Sequence, residues 1–341
     1  MHPFVQKDPS LESIWRAIIL FGRNVASYKF ALAKSLFEMV DRGQTSVKME
    51  LLAEPFARHV SEHLKIEDRQ GISGSSTFLK ACRAFNTGDI SHDQLVAVTV
   101  RHGFQNVIDA FHIVNQGETP SRFFIDERRS NNAIVLTDDL FRLKEHSQSA
   151  NLLVEVESRW RLVETAWSMN IASGLLAVSY DESVGGLFVS SQRSGRKSVT
   201  SCRGALNGYQ RGRCFYCGDS LKIDGASTGA VTHVDHFFPV VLVRFSDFAR
   251  INLNGVWNLV LSCNSCNGPA GKWARAPSLN LLSRLHRRNN YLIDSHHPLR
   301  ETLLSQTGGT EKMRCDFLQT VWDASQHLIH EWEPPECTFG S

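Results

Sequence analysis

The stretch "HVDHFFPVVLV", residues 233–243, decides how the C-terminal part of the chain is read. Its β-branched and aromatic residues suit a strand, yet it places a carboxylate, Asp235, directly beside an imidazole, His236. Buried charge is costly unless it is paired or bound to a metal, so the rest of the chain must supply partners for both groups. Alternation along a strand puts His233 on the face of Asp235, where it either supports the same site or packs as a core histidine.

Two C-x-x-C pairs flank this stretch: Cys214 and Cys217 in "CFYC", and Cys263 and Cys266 in "NLVLSCNSCNGPAGK". The other four cysteines, Cys82, Cys202, Cys315 and Cys337, stand singly. Paired knuckles in a chain expected to be cytosolic point to metal or redox chemistry before structural disulfides. Four thiolates close a tetrahedral zinc site and leave no open coordination position, so such an ion is a staple and not a reactive centre. The 45 residues between the pairs exceed the about 15–20 of a compact zinc ribbon and are enough to hold a folded segment of their own.

A reactive metal must therefore bind elsewhere. A hard cation such as Mg²⁺, or Mn²⁺ in its place, takes oxygen ligands and keeps several waters. Asp235 offers a carboxylate oxygen and Asn267 a neutral amide oxygen. His236, beside the metal and not on it, is placed to take a proton from an attacking water. Lys272 or Arg275 is expected to contact a flanking phosphate.

The order C-x-x-C, "DHFFP", "NLVLSCNSCN" and a following Lys resembles the HNH endonuclease family, with its ββα-metal fold, in its zinc-bearing branch. The "DH-x-x-P" strand of that family is matched by Asp235, His236 and Pro239, its central Asn by Asn258, and its third signature position by Asn267. The resemblance spans residues 201 to 275. It implies that His236 is the general base, that Asp235 and Asn267 hold one divalent cation, and that Asn258 steadies the loop orienting His236. One departure is the long insert "VVLVRFSDFARINLNG", residues 240–255, between the two strands. Asn in place of His at the third position also occurs in the family.

The remainder of the 341-residue chain frames that segment. Composition is that of an ordinary globular protein, 42% hydrophobic and 21% charged. Charge is uneven: residues 190–300 carry 15 basic against 5 acidic side chains, a net of +10, and the rest carries 22 against 30, or −8. The basic third suits a polyanion such as DNA, with RNA the lesser expectation. The uncharged run Thr165 to Tyr180 has 16 residues, short of the about 20 that span a bilayer. A cytoplasmic protein with no membrane contact is the expectation.

Apolar steps of three and four predict one long helix over residues 11–40 and further helices near 47–65, 77–86, 92–114, 137–147 and 150–173. "GISGSS" (71–76) reads as a turn, "LLAVSY" (175–180) and "GLFVSS" (186–191) as strands around the loop "DESVG", and "SQRSGRKS" (191–198) as a linker. Pro298 suits a first helical turn. Trp15, Trp160 and Trp167 fall on apolar stripes, and Trp257 is expected to pack on the second strand. Arg284, Arg287 and Arg288 share nearly one helix face, either a phosphate-contacting stripe or a solvated one. The pairs His59/His63 and His327/His330 have metal-type spacing but no third ligand nearby, so each is read as helix surface.

The expected fold is thus α+β and predominantly α. A helical N-terminal region (1–175) precedes short strands and a basic linker (176–198), a nuclease domain with a zinc knuckle (199–290) and a helical tail (291–341). The expected function is metal-dependent cleavage of DNA phosphodiesters by one or two strand cuts, in a bacterial anti-phage or mobile-element setting by family association. The acidic helical region would dock a protein partner or restrain the nuclease. The rival reading is a non-catalytic zinc-containing nucleic-acid-binding or assembly protein.

Overall fold

A computed structural model of the chain describes residues 6, 9–21, 26–71, 76–114, 117–146, 149–168, 178–181, 186–191, 195–221, 232–294 and 299–334. It is mainly α-helical with small sheets, an α+β arrangement. Two compact units divide it, Met1–Ala172 and Ser173–Ser341. Among the described residues, no helix is long and apolar enough to cross a membrane.

The N-terminal unit packs its helices around aromatic side chains. Trp15 meets Phe37, Phe111 and Phe123 at ring separations of 4.9, 5.9 and 5.2 Å. Phe56 sits between Phe78 and Phe104. Trp15, Trp160 and Trp167 are buried, as their stripes predict. Helix Leu11–Phe21 is fixed to helix Ser149–Ser168 by a forked pair, Arg16 to Glu155, at 2.8 and 3.0 Å. Both partners are buried, so the planar guanidinium must satisfy both carboxylate oxygens.

The single helix expected over 11–40 is two, Leu11–Phe21 and Tyr28–Asp41. Ala26 pairs with Gly71 in an isolated antiparallel bridge, and the Ser27 N–H donates to the Gln70 carbonyl at 3.1 Å. Those long-range bonds use backbone groups that a continuous helix would need. The 92–114 helix is also broken: His92–Val98 runs into a π turn, Thr99–Gly103, then a single turn at Val107–Ala110 and a strand at Ile113–Val114. Helices Met49–Ile66, Thr77–Thr87, Asp138–Glu145 and Ser149–Ser168 lie where the periodicity puts them. Periodicity did not reveal a three-stranded antiparallel sheet in which Ala133–Leu136 lies between Ser46–Lys48 and Phe124–Glu127.

The C-terminal unit begins with an antiparallel meander, Val178–Asp181, Gly186–Ser191 and Gly195–Ser201. Its third strand begins within residues read from composition as linker: Arg196 pairs with Ser190 and Lys197 with Val189. Helix Cys202–Gln210 follows. The strand His233–His236 then forms a two-stranded antiparallel ribbon with Leu259–Ser262, after which comes a one-turn helix, Asn264–Asn267. Helices Leu279–Asp294, Leu299–Thr307 and Glu311–Gln326 complete the unit. Ala276–Pro277 pairs in parallel with Glu331–Trp332, which fastens the end of the chain to the segment after the knuckle. The expected turn at 72–75, the start of the 175–180 strand, the loop at 182–185, linker residues 192–194 and Pro298 lie outside the described residues.

The ribbon's outer edge is satisfied by a side chain. Gln210 donates from Nε2 to the Leu261 carbonyl at 2.9 Å and accepts the Leu261 N–H on Oε1 at 2.7 Å, as a neighbouring strand would. The Phe215 N–H also donates to the Leu261 carbonyl, at 2.9 Å, which ties the first C-x-x-C turn to the ribbon. Trp257 is buried at the ribbon's entry, its ring 6.0 Å from Phe238 and 5.0 Å from Phe317.

Candidate active site and metal centre

The two C-x-x-C turns converge. The four Sγ atoms of Cys214, Cys217, Cys263 and Cys266 all lie within 4.8 Å of one another, and those of Cys217 and Cys263 are 3.7 Å apart. All four cysteines are free thiols. Sulfurs bound at about 2.3 Å to a tetrahedral zinc ion would be about 3.8 Å apart, so the arrangement fits that ion. The thiols' acidities point the same way. Cys214 is lowered to about 5, chiefly by its hydrogen bond with Cys266 and also by backbone N–H groups, against the effect of burial. Cys266 is raised by that same bond and by burial, and Cys217 is raised mainly by burial. A thiolate at Cys214 thus opposes ionisation of Cys217 and Cys266, and a soft dication removes the repulsion. The cluster could hold a structural metal ion such as zinc.

Ribbon register sorts the other residues. His233 pairs with Ser262, Val234 with Leu261, Asp235 with Val260 and His236 with Leu259. Alternation puts Asp235 and His236 on opposite faces of one strand, so each meets different neighbours.

Asp235 is buried, and its Oδ2 is doubly engaged. The Tyr216 hydroxyl donates to it at 2.6 Å, and Lys272 Nζ lies 3.3 Å away. Among the described residues, Oδ1 makes no hydrogen bond. Burial raises the Asp235 carboxyl and lowers the Lys272 ammonium, each opposed by the other's charge. Asn267 ends the one-turn helix that packs on the His233–His236 strand and is half-buried. One carboxylate oxygen and one amide oxygen make a donor set that Mg²⁺ or Mn²⁺ accepts when waters complete the shell.

His236 is held from the insert. Its Nε2 lies 2.8 Å from Asn254 Oδ1, near the end of that insert. Asn258, with no exposed surface, bonds both ends of the same loop. Its Oδ1 accepts the Phe238 N–H at 2.8 Å, and its Nδ2 donates to the carbonyls of Phe238 at 2.9 Å and Leu253 at 2.8 Å. The loop therefore leaves the strand and returns to it through one amide side chain. Between its ends, Leu242 and Phe248 are buried while Val243, Arg244, Phe245 and Arg250 face outward.

Of the five basic residues expected at phosphates, Lys272 and Arg288 are buried, Arg275 and Arg284 half-buried and Arg287 exposed. Lys272 has no exposed surface. Arg288 is buried and donates to the carbonyls of Val256, Trp257 and Leu259, so it fastens helix Leu279–Asp294 to the ribbon. Arg275 donates to the carbonyls of Ala270, Gly271 and Lys272 and wraps its own loop. Arg284 stacks over Phe215 with its guanidinium 5.1 Å from the ring centre, and donates to the Tyr216 carbonyl. Arg287 is exposed. Sequence reasoning missed Tyr216, Asn254 and Gln210. Tyr216 carried a signal, a large polar aromatic inside a C-x-x-C turn; Asn254, within "NLNG", carried none that distinguishes it from a turn residue.

The histidine pair of the N-terminal unit is not the surface that its spacing predicts. His59 and His63 are buried. His59 Nε2 lies 2.6 Å from Glu38, and His63 contacts Glu164 at 2.8 Å and Glu157 at 3.2 Å while stacking flat on Trp160. Charged residues of helices Tyr28–Asp41 and Ser149–Ser168 cover that face. His327 and His330 are exposed, as expected, but lie past the end of helix Glu311–Gln326 and not on a helix face. Among the described residues, the four cysteines are the one group of three or more potential ligands close enough to share a metal.

Comparison with protein-family models, curated proteins and solved structures finds no match to the chain.

Proposed function

We propose that the C-terminal unit is a zinc-stapled HNH-type endonuclease that hydrolyses phosphodiester bonds in DNA. The observation that carries this reading is the shared anchorage of Asp235 and His236. They are adjacent on a strand whose partner strand leads into the second pair of cysteines, and Asn258 closes the loop beyond them with three buried hydrogen bonds.

In this reading the chain's residues divide the work. His236, held through Nε2 by Asn254, accepts a proton from the water that attacks phosphorus. Asp235 through Oδ1 and Asn267 through its amide oxygen would hold Mg²⁺ or Mn²⁺. When bound, that ion supplies charge stabilisation at the phosphate and at the departing 3′ oxygen. Tyr216 fixes the Asp235 rotamer from the far oxygen. Asn258 supports His236 through the backbone at Phe238 and Leu253. The products carry 5′-phosphate and 3′-hydroxyl ends. A single centre cuts one strand at a time, so double-strand cleavage needs a dimer or two events.

The helical unit then docks a protein partner or restrains the nuclease, because the −8 charge outside residues 190–300 makes it a poor DNA surface. Anti-phage defence or mobile-element activity is the setting that this reading suggests. The second reading, a non-catalytic zinc-containing nucleic-acid-binding or assembly protein, draws on the inward placement of Lys272 and Arg288.

The test is supercoiled-plasmid nicking with Mg²⁺ or Mn²⁺, an EDTA control, and His236→Ala beside the wild type. Metal-dependent nicking that the substitution abolishes is the expected result. DNA binding by both proteins with no nicking by either would favour the second reading.

A further inference from the structure

A buried carboxylate needs a positive partner, and this chain supplies one from within. Lys272 Nζ lies 3.3 Å from Asp235 Oδ2 and also donates to the Trp273 carbonyl at 3.1 Å, with no surface of its own exposed. The loop that delivers it is firmly built. The Lys272 N–H donates to the Cys266 carbonyl at 2.6 Å, and the Arg275 guanidinium spans the carbonyls of Ala270, Gly271 and Lys272. At Gly271 a Cβ would come within 2.3 Å of the Cys266 carbonyl oxygen and 2.4 Å of that of Ser265. The loop therefore lies tightly on the second cysteine turn and presents Lys272 beneath it. Tyr216, between Cys214 and Cys217, reaches the same Asp235 oxygen. Both partners of Asp235 thus hang from the two cysteine turns.

We infer that Lys272 is the resident cation of the Asp235 carboxylate, and that a divalent ion taken up at Asp235 displaces it. The inference rests on reading Asp235 as a metal ligand. It also accounts for a lysine that the family resemblance places at a phosphate and that has no exposed surface. Displacement turns the ammonium from Asp235 toward the substrate only in the metal-loaded protein, so the site assembles in order, metal first and phosphate second.

Two measurements test this on the zinc-loaded full chain. The first is Mn²⁺ binding, followed by electron paramagnetic resonance. A charge within about 4–6 Å shifts an ionisation by about one to three units, so removing Lys272's charge should tighten a competing cation by about tenfold or more. Lys272→Met is expected to bind Mn²⁺ at least about tenfold more tightly than the wild type, and Asp235→Asn to lose that site. Lys272→Met leaves a buried carboxylate unpaired and can unfold the unit, so the second measurement uses the wild type alone. Reductive methylation of Lys272, read by mass spectrometry, should be slow without divalent ions and faster at saturating Mn²⁺. An unchanged or weaker Mn²⁺ affinity in folded Lys272→Met overturns the inference while leaving Asp235 as a ligand. So does Lys272 reactivity indifferent to Mn²⁺. If no Mn²⁺ site in either background depends on Asp235, the inference and the metal-ligand reading fail together.

Discussion

Replacing Asn258 by Ala should be among the most damaging single changes in the C-terminal unit. The side chain is fully buried and makes three hydrogen bonds, all to backbone groups of the loop that begins after His236. Each such bond contributes about 1 kcal/mol net. Truncation also strands the Phe238 N–H and the carbonyls of Phe238 and Leu253, which raises the cost toward the about 1–3 kcal/mol of an unsatisfied buried group. Loop relaxation and entering water recover part of this, so a loss of about 3 kcal/mol is expected overall. For a unit of this size each kcal/mol moves the midpoint by about 2–4 °C, so the unit's melting point should fall by about 6–12 °C. Asn258→Asp keeps the bond from the Phe238 N–H but faces two carbonyl oxygens with an acceptor, and should be at least as harmful as Ala. Differential scanning calorimetry on zinc-loaded protein reads both. A shift under about 2 °C for Ala, or a milder effect for Asp, would show that the loop is held by something other than this amide.

Zinc removal by a strong chelator, or Cys214→Ser, should abolish the cooperative melting of the C-terminal unit, and metal analysis of the folded protein should find zinc at one ion per chain. Gly271→Ala should lower stability by more than about 1 kcal/mol in urea titrations, because the new methyl meets backbone oxygens that cannot swing aside. His63 gives a pH prediction. Burial pulls its pKa down, but hydrogen bonds to Glu157 and Glu164 outweigh that and raise it. A raised folded-state value means stability that is present below the unfolded pKa of about 6.5 and is lost as pH rises through the folded one. The stability gap between wild type and His63→Gln should therefore be widest near pH 6 and narrow on the alkaline side; a gap that widens there would contradict the carboxylate pairing.

What the sequence shows are the residues whose chemistry depends on short spacings: the two cysteine turns, the adjacent Asp235 and His236, and Asn258 at the mouth of the second strand. What it hides are partnerships across long separations. Lys272 reads as a surface base because nothing within its own loop offers a carboxylate; its partner is Asp235, on another strand. Arg284, Arg287 and Arg288 share a helical face on paper, yet the part of that face bearing Arg288 lies against the carbonyls of Val256, Trp257 and Leu259. His59 and His63 mislead in the same way, since Glu38 comes from the preceding helix and Glu157 and Glu164 from one distant in the chain. Periodicity identifies the face of a helix but not what covers it. The break between Phe21 and Tyr28 has the same origin, a bridge to Gly71 that no local pattern encodes.

Gln210 carries a consequence for solubility. A ribbon of two short strands ordinarily offers its unpaired rim to any other extended peptide, and that rim is where polymerisation into fibres begins. Here the rim is buried, and an amide side chain occupies the donor and the acceptor of Leu261 within it. The chain thereby carries its own stopper against strand-by-strand growth, next to the residues that would do its chemistry.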